Sequence, residues 1–213
     1  MQMRKFKLWA GAFLVLVVIG AAAWAIWNFE LRWRPTTIVR HQAEITRLLE
    51  SAGWISSGQA GARLYVLAAS ACDACGPYLR EETPRFTAAG VDARVILIAP
   101  RDLNGMARST AAERATVAQL WLGRDPTLLE RWLAAPAGTW TGAGLPVVEG
   151  DMARMAVVEA GRSTVERLEP LLKANGVRMA YPLAVWWNDK GEMRACECDR
   201  PQARRFVRRE LGA

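Results

Sequence analysis

Residues 64–69 read LYVLAA and run directly into Ser70-Ala71-Cys72-Asp73-Ala74-Cys75. No other feature restricts the fold so strongly. A short apolar run without alternation fits a central strand covered on both faces. A helix is expected from the cysteines to about Ala89, bent at Pro84 and closed by Gly90. Residues 93–99 (ARVILIA) then form a second buried strand. Strand, helix and strand in this order predict a parallel pair with a right-handed crossover. The fold class is therefore α/β.

Flanking segments extend this plan. Thr37 has the character of an N-cap for a helix reaching about Ala52, with Ile38, His41, Ile45, Leu48 and Leu49 on one face. His41 is expected there as a packed or partly exposed structural residue. Residues 103–176 read as mostly helical. Thr110 to Glu113 is a capping-box pattern opening a helix that ends near Gly123. Asp125-Pro126 opens another, with Leu128, Leu129, Trp132 and Leu133 as its stripe. Ser163 to Glu166 is a second capping-box pattern, and Gly176 suits a helix C-terminus. Residues 183–187 and 193–198 read as a hairpin, and a last helix starts at Pro201.

Leu8 to Trp27 contains twenty residues without a charge. As a helix it rises about 30 Å, the thickness of the hydrocarbon core. Arg4, Lys5 and Lys7 precede it, and Trp9, Trp24, Trp27 and Trp33 flank its ends. That pattern predicts a single membrane anchor with the basic N-terminus inside and everything after residue 28 outside. The rival is a signal peptide cleaved near Ala21 to Ala25. Both readings export the domain. The expected layout is 1–28 for the cytoplasmic N-terminus and anchor, 29–62 for a connector with an amphipathic helix, and 63–213 for the main domain.

Composition excludes several chemistries. A single histidine, His41, leaves little room for a serine or cysteine protease triad or a multi-histidine metal site. The net charge is +7, but the basic residues form no stripe interleaved with aromatics, so nucleic acid is not an expected partner. Arg200, Arg204 and Arg208 share one helical face, read as solvated, with an anionic membrane surface as the second choice.

The remaining domain is long enough to bury a core without disulfide support, so its four cysteines call for a chemical explanation. At a helix start, the sulfur of Cys72 meets unpaired N–H groups and the positive end of the helix dipole. Both favour the thiolate, which is the nucleophile. Cys75 is close enough to resolve a mixed disulfide formed at Cys72. A lone CxxC also fits zinc, a plain disulfide or buried thiols. Tyr181-Pro182 precedes a buried strand and reads either as an ordinary strand start or, in a thioredoxin-like fold, as a cis-proline beside the CxxC.

From about Arg63 onward the chain resembles the catalytic domain of the DsbC/DsbG family of exported disulfide isomerases and reductases. The matching segments are the strand into CxxC, FTAAGVDARVILIAPR, the helix ending in WLGRDP, and GVRMAYPLAVWWNDKGEM. The resemblance implies a thioredoxin-like fold with a helical insertion over about 103–176. It implies Cys72 as nucleophile, Cys75 as resolving cysteine, Pro182 as the cis-proline, and Tyr181 as part of the substrate groove. Only residues 29–62 stand where the family carries a dimerisation domain, and Tyr181 stands where a small residue is usual. Asp73 beside the nucleophile opposes the thiolate, which points to a reductase or isomerase rather than an oxidase.

Cys196-Glu197-Cys198 lies on the returning strand, with both cysteines on one side. It reads as a local disulfide, as a second redox pair exchanging with Cys72–Cys75, or as half of a four-cysteine metal or iron–sulfur site. Unpaired thiols are the remaining reading.

The resulting expectation is a single-pass protein of a bacterial inner membrane, with its catalytic domain in the periplasm and no cofactor. Its partners are exported cysteine-containing proteins and a membrane electron donor or acceptor. The alternatives are a thioredoxin-fold scaffold of an envelope secretion or conjugation machine, and a four-cysteine metal-binding module.

Overall fold

The computed structural model describes residues 16–136 and 138–213. The chain divides into two compact units, one ending at Arg34 and one running from Pro35 to Ala213. In the first, residues 16–26 are α-helical and Trp27–Leu31 continue as a wider π-turn. Trp33 Nε1 donates to the Asn28 carbonyl at 2.8 Å. Of the expected membrane segment, residues 8–15 lie outside the described part. Among the described residues no helix is long and apolar enough to cross a membrane.

The second unit is a mixed α/β domain built on one five-stranded sheet. Its strands are β1 (Thr36–Thr37), β2 (Arg63–Ala69), β3 (Asp92–Ile98), β4 (Leu183–Trp187) and β5 (Met193–Glu197). Their order is β1-β5-β4-β2-β3. Only β2 and β3 are parallel; β2–β4, β4–β5 and β5–β1 are antiparallel. The helices are α1 (Gln42–Ser51), α2 (Cys75–Ala88), α3 (Ala111–Gly123), α4 (Pro126–Ala134), α5 (Met152–Lys173) and α6 (Pro201–Leu211).

Burial explains the central strands. Leu64 to Ala69 are all buried, as an unalternating run requires of a strand with both faces covered. On one face Tyr65, Leu67, Ile96, Ile98, Val185 and Ala195 pack against Ile45 and Leu49 of α1 and Leu168 and Leu172 of α5. Each fully buried Leu or Ile contributes roughly 1.5–3 kcal/mol. Helices α2 and α6 contact the sheet at β3 and β5.

Residues between β3 and β4 form the helical insertion. Thr110 caps α3 in a complete capping box with Glu113, and Asp125 caps α4 with Pro126 in its first turn. Trp121 of α3 donates from Nε1 to the Leu97 carbonyl of β3 at 2.8 Å. Its ring leaves no room for side chains at two glycines. A Cβ on Gly53 would lie 2.3 Å from ring carbons, and one on Gly161 of α5 would lie 3.1 Å away.

Three expectations change. Thr37 is not a helix cap; it pairs with Arg194 in β1, and α1 starts after His41. His41 is exposed, with φ 59°, rather than packed or partly exposed on the apolar face. Ser163 opens no helix, because α5 runs unbroken through it from its true cap, Asp151. The second compact unit, from Pro35, includes α1.

Candidate functional site

The β2–α2 junction is built from local hydrogen bonds. The Ser70 amide still donates to Ile98, continuing the parallel ladder, and the Cys72 amide then turns back to the Ala69 carbonyl. Cys75 donates to the Cys72 carbonyl and starts α2. Pro77 sits in the first turn, where a missing N–H removes no helix bond. No side chain caps this helix start. With the Cys75 amide taken by the Cys72 carbonyl and no N–H on Pro77, the Gly76 amide and the helix dipole are what favour negative charge at the sulfur just ahead of them.

Cys72 and Cys75 form a disulfide with Cα atoms 5.3 Å apart. Cys72 is partly exposed and Cys75 is fully buried. That asymmetry gives an incoming partner access to one sulfur only.

The Tyr181–Pro182 peptide is cis. The Tyr181 carbonyl oxygen lies 3.5 Å from Cys72 Sγ, close enough to accept from the reduced thiol. Pro182 is buried. The Tyr181 side chain packs against the apolar cluster under the sheet, while its backbone carbonyl faces Cys72. Burial, reinforced by Glu169, pushes its phenol up to about 12, which keeps it neutral.

Cys196 and Cys198 are closed on each other, with Cα atoms 5.3 Å apart, and both are buried. Cys198 is the nearer to the first pair, since its amide donates to the Pro182 carbonyl at 2.9 Å. The dipeptide Tyr181-Pro182 thus touches a cysteine of each pair. Among the described residues no group of three or more His, Cys, Asp or Glu is arranged to hold a metal ion.

A cavity of about 660 Å³ opens beside Cys72. Asp73, Arg80, Glu113, Trp132 and Trp140 help to line it. Trp140 is held by its Nε1 donating to Thr116 at 2.8 Å, and Arg80 by donating to the Leu133 carbonyl at 2.8 Å. The helical insertion therefore supplies one wall of the approach to the nucleophile. Trp140 was not singled out in the sequence; it stands in a loop, and only its bond to α3 places it here.

Below the cysteines, α2 and α6 enclose a polar cluster. Glu82 is fully buried, and burial holds its carboxyl above the ordinary value, opposed by Arg208 and reinforced by Glu81. Tyr78 is equally enclosed, and burial together with Glu82 raises its phenol. Arg204, expected on a solvated face, is buried and ion-paired to Glu81 at 3.0 Å. Its face is covered because α6 packs against α2, a pairing that the spacing of arginines does not reveal.

No family model matches the chain, and no curated protein matches it significantly. Among solved structures, the crystal structure of Chlamydia trachomatis DsbA is similar at 15% identity and a TM-score of 0.37. The match covers 75% of this chain and 90% of that one. Likeness at that level carries no functional argument, so any assignment stands on the geometry of the two cysteine pairs around Tyr181-Pro182.

Proposed function

We propose that this chain is a membrane-anchored, thioredoxin-like thiol–disulfide oxidoreductase that reduces or isomerises disulfides of exported proteins in the bacterial periplasm. The observation that carries the reading is the contact between Cys72 Sγ and the carbonyl preceding cis Pro182, with Cys72 reachable and Cys75 buried beneath it.

In the reductive direction, the Cys72 thiolate attacks one sulfur of a substrate disulfide. The other substrate sulfur leaves as a thiolate, and a mixed disulfide remains on Cys72. Cys75, deprotonated, then attacks Cys72 Sγ and expels the second substrate thiolate. Two electrons have passed to the substrate, and the domain holds Cys72–Cys75 as a disulfide. A dithiol donor from the membrane returns it to the reduced state. In isomerisation a substrate thiol, rather than Cys75, resolves the mixed disulfide.

The test is turnover of insulin disulfides by the full chain together with trapping by Cys75→Ala. Reduction by wild type, lost in Cys72→Ser, and mixed disulfides accumulating on Cys72 in Cys75→Ala support the reading. No turnover and no trapped species would leave the cysteines structural.

A further inference from the structure

We propose that Arg204 is a positioning residue for the substrate groove, because it completes the last rung of the β4–β5 ladder, which Pro182 leaves one donor short. The proposal rests on the oxidoreductase reading above, but its structural half is testable without it.

In an antiparallel ladder, facing residues alternate between pairs that exchange two hydrogen bonds and pairs that exchange none. Leu183 faces Glu197 and Ala184 faces Cys196. One step beyond, the Cys198 amide donates to the Pro182 carbonyl at 2.9 Å, which makes 182 and 198 a hydrogen-bonded pair. Pro182 has no N–H to return. The Cys198 carbonyl, on a buried residue, would be left without its ladder donor.

Arg204 fills that place. Its Nε donates to the Cys198 carbonyl at 3.2 Å, and its Nη2 donates to the Asp199 carbonyl at 3.3 Å. Its Nη1 donates to the Glu81 carboxylate at 3.0 Å, and its guanidinium lies 5.2 Å from the Tyr78 ring centroid. Arg204 is only 8% exposed, although it is a charged side chain on a short amphipathic helix. The planar fork reaches two carbonyls and a carboxylate in three directions, which a lysine ammonium on a flexible stem does not reproduce.

A line of contacts follows from α6 to the nucleophile. Arg204 holds Cys198 by its carbonyl, and Cys198 holds Pro182 by its amide. One residue earlier the Tyr181 carbonyl abuts Cys72 Sγ. Through Glu81 and Tyr78 the same side chain also meets α2, which carries Cys75. Arg204 therefore holds the proline loop, the side of the groove that meets Cys72, through the Cys198 rung, while Glu81 and Tyr78 only seat its side chain.

Three variants of the full chain separate this role from general support. Arg204→Gln removes the fork and the charge. Arg204→Lys keeps the charge toward Glu81. Glu81→Gln weakens the ion pair and leaves both carbonyl bonds in place. Thermal unfolding establishes that each variant folds. For a disulfide-bonded peptide, Arg204→Gln should raise KM roughly tenfold, the scale of one lost charge-assisted hydrogen bond. Its kcat and the alkylation rate of reduced Cys72 by iodoacetamide should stay within about twofold of wild type. Arg204→Lys should resemble Arg204→Gln, and Glu81→Gln should resemble wild type. Independently of turnover, amide exchange at Cys198 should accelerate in both Arg204 variants and not in Glu81→Gln.

An unchanged KM, a parallel fall in kcat and Cys72 alkylation, or the same effect from Glu81→Gln would overturn the proposal. So would unaltered exchange at Cys198 in Arg204→Lys, the variant to use should Arg204→Gln not fold. Absence of turnover in wild type would count against the oxidoreductase reading, and the exchange measurement would still decide the role of Arg204 in the rung.

Discussion

Glu82→Gln should stabilise the domain at neutral pH and leave it nearly unchanged near pH 4.5. Glu82 is fully enclosed, and neither carboxyl oxygen has a hydrogen-bond partner. Arg208 of α6 approaches one oxygen at 3.5 Å, with Glu81, Arg85 and Arg204 also acting on the group. Burial is the largest influence and raises the folded-state pKa above the ordinary 4.5. The folded protein then holds this proton more tightly than the unfolded chain, so stability falls as pH rises above 4.5 until the folded pKa is passed. Arg208 favours the charged form and offsets part of the burial penalty, leaving an expected gain of about 1–3 kcal/mol at neutral pH for an isosteric neutral side chain. Urea unfolding of both proteins at pH 5, 6, 7 and 8, with disulfides oxidised, reads the difference. A pH-independent difference, or a variant less stable than wild type at pH 7, would refute the reasoning and make the Glu82–Arg208 pair a net stabiliser.

Three further outcomes are expected. With limiting iodoacetamide, mass spectrometry of the reduced protein should find Cys72 labelled before Cys75, and the reverse order would exchange their assigned roles. Thr110→Ala breaks the capping box of α3 and should lower the unfolding free energy by about 1 kcal/mol while leaving Cys72 labelling unchanged; an unchanged midpoint would show the cap to be redundant. A C-terminal alkaline phosphatase fusion should be active in bacteria if the domain is exported, whereas an active cytoplasm-requiring fluorescent fusion would reverse the topology.

The parts of this protein legible in the sequence are those written locally. LYVLAA and ARVILIA declare themselves as buried strands because both faces are apolar. Asp125-Pro126 marks a helix start because a capping oxygen and a fixed φ are needed there. Pairings between distant residues were hidden. Thr36 and Thr37 have the composition of a cap, and only β5, some 160 residues later, makes them a strand. Ser163 and Glu166 have the spacing of a capping box, but the preceding turn of α5 already satisfies their amides. The proline and the cysteines of the candidate site were visible from their neighbours in sequence. Arg204, Glu82 and Trp140 were not, because each is defined by a partner on another helix or by enclosure between helices.

Trp121 carries a consequence for descent. Its ring occupies the space over Gly53 and Gly161, and its indole N–H is committed to β3. The three positions are therefore under one steric rule although they lie far apart in sequence. Relatives that retain the tryptophan are confined to glycine at 53 and to glycine or a slight local shift at 161. Relatives that replace it by a smaller residue are released at both sites together. Correlated change at 53, 121 and 161 is a mark by which diverged members of this lineage can be recognised when overall identity has faded.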